Sequence, residues 1–91
     1  MKTLDECRVE IDRIDREMVK LFEERMKASK EVANYKIKHA LPIFDASREQ
    51  EVINQNLQYI EDDEIKEYYV NFLKETMNIS KKYQQKLMER I

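Results

Sequence analysis

A chain of 91 residues is long enough for one small domain, and a domain of that size buries only a modest core unless a second subunit helps. Charged residues make up 40% of the sequence, but 17 Lys and Arg against 19 Asp and Glu leave a formal net charge of −2, which argues against a general nucleic-acid binder and still allows a local basic pocket. The single cysteine, Cys7, rules out an internal disulfide, and no stretch nears the ~18 apolar residues of a membrane span or the apolar run of a signal peptide. A soluble, unprocessed, cytoplasmic protein is expected.

The first predicted element is long. From Leu4, apolar or small residues recur at Cys7, Ile11, Ile14, Met18, Leu21, Ala28, Val32 and Tyr35. These steps of three and four fit a heptad seam, with Arg25 in the one slot where an apolar residue is missing. The chain has no glycine and its single proline is Pro42, so one helix is predicted from about Thr3 to Lys38. A second starts near Asp45 or Ser47, either of which can cap it, and runs to about Tyr59; Ser47 and Gln50 have the spacing of a capping box. The acids of "EDDE", residues 61–64, suit the start of a third helix. That helix shows Ile65, Tyr69, Phe72, Thr76, Ile79, Tyr83 and Leu87 on one face. No repeat or linker divides the sequence, so residues 1–91 form one all-α domain in this view, with no separate regulatory module.

The first helix raises a problem of length. Some 35 residues at ~1.5 Å each span roughly 50 Å, whereas a compact domain of this size is about 30 Å across. The two shorter helices cannot cover both ends of the seam. A second copy of the chain, pairing its long helix antiparallel to the first about a two-fold axis, would bury it. Cys7 then reads as seam packing, as a small apolar residue.

Charges near the seam suggest a site. Lys36 follows Arg25 by eleven residues, close to three turns, so both point the same way ~16 Å apart. Side chains of that length can bracket a small anion, with Ser29 and Val32 as the wall between them; the alternative is that Arg25 snorkels and Lys36 is solvated. Asp45, Arg48 and Glu49 crowd the far side of the Pro42 break. On the third helix Ser80 and Gln84, four apart, share a face beside the apolar stripe. Alone they could be surface residues. With Arg25, Lys36, Arg48 and Glu49 they bring hydrogen-bonding groups from three helices around a basic pocket, suited to a small polyanion that carries a hydroxyl. No Cys–His pair or metal-ligand cluster accompanies them, and His39 reads as a solvated side chain near a helix end.

The succession "LDECRVEIDRID", Arg25, "VANYK", "PIFDASRE" and "SKKYQ" resembles the all-helical chorismate mutase family over essentially the whole chain. The resemblance implies an intertwined antiparallel homodimer of three-helix subunits. It also implies the rearrangement of chorismate to prephenate, on the route to phenylalanine and tyrosine, with no cofactor, metal, nucleic-acid or membrane partner. The pocket it implies holds Arg8, Arg25, Lys36, Asp45, Arg48, Glu49, Ser80 and Gln84, with Val32, Val52 and Met77 in its apolar lining. In that pattern Arg25 and Arg8 clamp two carboxylates, Lys36 and Gln84 donate to the ether oxygen, and Glu49 accepts from the ring hydroxyl. Ser80 adds a carboxylate contact, while Arg48 and Asp45 orient the wall and the hydroxyl end; Asp45 can equally be a plain helix cap. Arg8 lies 28 residues before Lys36, or ~42 Å along one helix, so it would have to serve the partner's pocket. Two other readings stay open. One is a lyase of similar architecture that removes pyruvate from isochorismate. The other is a helical dimerisation module without chemistry, which leaves Arg25 in the seam and the Ser80–Gln84 pair unexplained.

Overall fold

The computed structural model of the protein describes residues 1–90. Three α-helices dominate it: α1 (Leu4–Lys38), α2 (Ala46–Leu57) and α3 (Lys66–Glu89), the last entered through a 3₁₀ turn at Asp63–Ile65. Among the described residues, no helix is long and apolar enough to cross a membrane.

Local chemistry sets the ends. Thr3 caps α1: its hydroxyl accepts from the Glu6 backbone N–H at 3.1 Å and meets the Glu6 carboxylate at 3.2 Å, a pairing that fixes the first turn. At the other end, Leu41 N–H donates to Lys36 C=O at 2.8 Å and Ala40 N–H to Ile37 C=O at 3.3 Å. This is the two-bond termination that needs a left-handed residue just past the helix. Ala40 supplies it, with φ 55°, because the sequence holds no glycine. A side chain with a Cβ costs ~1–2 kcal/mol in that region. Ala40→Gly is therefore expected to raise stability by about 1 kcal/mol, after the greater unfolded-state freedom of glycine is deducted. Urea unfolding at fixed protein concentration checks this, and an unchanged or lowered midpoint would speak against strain at Ala40.

Asp45, in an extended conformation, caps α2 by accepting from Arg48 N–H at 3.0 Å. Of the two predicted caps this is the one used. Ser47 lies inside the helix, and Gln50 bonds Asn54 at 3.0 Å instead of closing a capping box. The helix ends at Leu57, two residues before the predicted Tyr59, as Tyr59 N–H turns back to Asn56 C=O. At the start of α3, the hydrogen bond from Lys66 and its positive charge hold the Asp63 carboxyl below its ordinary value. The pair is exposed and adds little to stability.

The helices run up, down and up. Arg25 meets Ser80, the Ser29 carbonyl meets Gln84, and Lys36 and Met88 line one shallow cavity, so α3 runs parallel to α1. It packs against both α1 and α2, while those two make no close backbone approach to each other. A cleft between α1 and α2, floored by α3, follows from that arrangement. The core is small: Ile53, Leu73 and Met77 pack with Val52, Leu57, Tyr69 and Val70, and Ala33, fully buried, lies on the same side of α1 as Ser29.

The predicted faces differ from the buried ones by one position. On α1 the buried residues are Ser29 and Ala33, whereas the seam residues Leu4, Ile11, Ile14, Met18 and Leu21 remain exposed; Cys7 is exposed too. On α3 the buried set is Leu73, Met77, Ser80 and Gln84. The predicted stripe residues Tyr69, Phe72, Thr76 and Ile79 instead face Met18, Leu21 and Phe22 across an apolar groove of about 710 Å³. Within one chain α1 has only α3 to pack on, and 24 residues cannot cover 35. The molecule is accordingly elongated, 55 × 25 × 15 Å with a radius of gyration of 16.4 Å, against about 12 Å for a compact domain of this length.

Candidate active site

The cleft between α1 and α2 holds a cavity of about 320 Å³, at the lower end of the range for small-ligand sites. Helical spacing builds each wall. From α1, Arg25, Ser29, Val32 and Lys36 recur at intervals of three and four and line it. Asp45, Arg48, Glu49 and Val52 do the same from the start of α2, and Met77, Ser80, Lys81 and Gln84 from α3. Ala28 and Ile43 complete the lining. The Pro42 turn brings the second wall opposite the first.

Buried hydrogen bonds hold the floor. Arg25 Nη1 donates to Ser80 Oγ at 2.5 Å, and Ser29 Oγ donates to the same oxygen at 3.2 Å. With both lone pairs engaged, Ser80 keeps its own proton for an acceptor in the cavity. Gln84 Nε2 donates to Ser29 C=O at 3.1 Å, which fixes the amide and leaves its second N–H for a ligand. Ser29, Ser80 and Gln84 are each only 7% exposed, and among the described residues no buried side-chain polar atom lacks a partner. At the far end Lys36 Nζ donates to Ile43 C=O at 2.9 Å, so one of its three protons anchors the turn and two remain.

The other wall is more open. Asp45 lines the cavity and also caps α2. Arg48 lies at the rim with its guanidinium 2.5 Å from the Glu51 carboxylate, and a ligand would have to draw it away from that exposed partner. Glu49 pairs with Lys81 at 2.9 Å. Four cations, Arg25, Lys36, Arg48 and Lys81, thus face two carboxylates, Asp45 and Glu49. A dianion with several acceptor oxygens matches that balance.

Seven of the eight polar residues singled out from the sequence line this cavity, as do Val32, Val52 and Met77. Arg8 does not. It is exposed on α1, 17 residues before Arg25 and ~25 Å away along the axis. Lys81 is the charged lining residue that the sequence pattern left out. The steps from Met77 to Lys81 and from Lys81 to Gln84 carry the signal, but a lysine in "SKKYQ" looks like one of a solvated pair.

The family model described as chorismate mutase type II matches residues 7–85. The chain is 44% identical over 57 residues to a bifunctional chorismate mutase/prephenate dehydratase of Aquifex aeolicus, and 41% identical over 49 residues to the T-protein of Haemophilus influenzae. These matches cover 63% and 54% of the chain but only 16% and 13% of the relatives, so the chain spans a small part of their length. No solved structure matches it significantly. With a family model covering most of the helices and a basic cleft built from all three of them, the chain belongs to the chorismate mutase type II family.

Proposed function

We propose that this chain is a single chorismate mutase domain, working in the cytoplasm, that rearranges chorismate to prephenate. One observation carries the proposal: Arg25, Lys36, Ser80 and Gln84 converge from two parallel helices on one cavity with protons left to donate. Chorismate has two carboxylates, a ring hydroxyl and an enolpyruvyl ether. Its rearrangement is intramolecular and pericyclic, so it needs no nucleophile, proton shuttle or metal. A protein accelerates it by holding the compact conformer and by placing donors where charge develops on the ether oxygen as the bond to the ring breaks.

Lys36 and Gln84 take the ether oxygen, Arg25 and Ser80 a carboxylate, and Glu49 the ring hydroxyl. Arg48 and Asp45 close the hydroxyl end. Arg8 supplies the second carboxylate clamp from a partner subunit, in a homodimer that also covers the apolar residues exposed along α1 and α3. Guanidinium forks suit carboxylates better than a point charge does.

Incubation with chorismate and, separately, with isochorismate tests the proposal. Prephenate from chorismate supports it. Salicylate and pyruvate from isochorismate, without prephenate, would make the chain a lyase, and inertness toward both would leave a dimerisation module. Gln84→Glu probes the ether contact. A carboxyl at this position donates only while protonated, so activity should survive at acid pH and fall as pH rises through its titration. A flat pH profile equal to that of the unsubstituted protein would remove Gln84 from the ether oxygen.

A further inference from the structure

Lys81 is the one lining cation to which the proposed mechanism gives no task. Its ammonium lies 2.9 Å from Glu49 Oε2, with only 28% of the lysine side chain and 26% of the glutamate side chain exposed. Every other ion pair among the described residues has side chains 41% exposed or more and joins neighbours within one helix or at its end. Among the ion pairs of the described residues, this one alone joins α2 to α3. Lys81 Nζ also sits 4.7 Å from the centre of the Phe44 ring, a favourable place for a cation. The ammonium is thus held from the turn and from α2 together. Among the described residues the Glu49 carboxylate has no other side-chain partner.

We propose that Lys81 is a positioning residue: it fixes the Glu49 carboxylate on the α2 wall so that the free oxygen faces the ring hydroxyl of the substrate. This rests on the chorismate rearrangement proposed above. A glutamate on a solvated α2 wall would sample several rotamers, and binding would have to order it each time. The charge-assisted bond from Lys81 does that ordering in advance. Lys81 acts through Glu49 and not on the reacting atoms.

The test is a double-mutant cycle on the intact protein, with Lys81→Met, Glu49→Gln and the pair, assayed on chorismate. Lys81→Met should lower kcat/KM about tenfold, the scale of one charge-assisted hydrogen bond. The loss should fall mainly in KM, because the hydroxyl contact is made in ground and transition states alike. On the Glu49→Gln background the same substitution should change kcat/KM less than twofold, and Lys81→Arg should restore most of the loss. Additive effects would place Lys81 directly on the substrate, and an unaltered Lys81→Met would make the ion pair incidental; either result overturns the proposal. If circular dichroism shows Lys81→Met unfolded, Lys81→Gln, which retains polarity without charge, is read in the same cycle. An inactive wild type would overturn the chorismate reaction itself, whereas an active wild type with additive effects would overturn only the role of Lys81.

Discussion

Lys36→Ala is expected to cost ~3–4 kcal/mol in the chemical step, the scale of one donor that stabilises a developing oxyanion, and so to lower kcat roughly 10²–10³-fold. The ammonium is half-buried against the turn, with one proton on Ile43 C=O, so it is held in place before any substrate arrives. A donor that needs no reorganisation is worth more than a mobile one at the moment charge appears. The same bond ties the turn to α1, so a modest loss of stability should accompany the loss of rate. Urea unfolding of the variant separates the two: activity measured where the protein is fully folded reports the chemistry alone. A loss confined to KM would make Lys36 a binding residue.

Arg8→Ala and Lys36→Ala, each nearly inactive alone, are expected to restore activity to each other when folded together. Arg8 lies on α1 far from its own cavity, and the apolar residues Leu4, Val9, Ile11 and Ile14 around it are exposed in the single chain. In a two-fold dimer of the proposed kind, the pocket around the Arg8→Ala chain uses its own Lys36 and the Arg8 of its partner, and is complete. The second pocket lacks both. Random pairing makes about half the dimers mixed, so activity should return to roughly a quarter of wild type. Brief mixing of separately folded proteins should recover less, since intertwined chains exchange slowly. No recovery, with mixed dimers confirmed by native mass spectrometry, would mean that Arg8 does not act across the interface.

What the sequence reveals follows from how directly each feature is encoded. Thr3, Asp45 and the absence of helix breakers before Pro42 define the helices, because caps and breakers act through their immediate neighbours. Arg25, Ser29, Val32 and Lys36 can be placed on one face because a helix fixes their spacing whatever packs on it. The face of α3 is harder to read. Ser80 and Gln84 occupy buried positions through bonds to Arg25 and the Ser29 carbonyl, partners 55 residues away, so the buried stripe lacks the apolar pattern that would advertise it. Phe72 and Ile79 advertise a stripe, but one that this chain leaves uncovered. Lys81 is hidden for a similar reason, since its partners Glu49 and Phe44 come together with it only when α2 folds back.

The most direct measurement is an isotope crossover. Chorismate carrying carbon-13 in both the ring and the enolpyruvyl group is mixed with unlabelled chorismate, turned over by the protein, and the product read by mass spectrometry. A pocket that only holds and polarises one substrate molecule keeps its two halves together. Prephenate should therefore appear faster than without protein, and only in fully labelled and unlabelled forms. Prephenate labelled in one half, or release of free pyruvate in place of prephenate, would show that the ether is cleaved into separate fragments and would contradict an intramolecular rearrangement in this cavity.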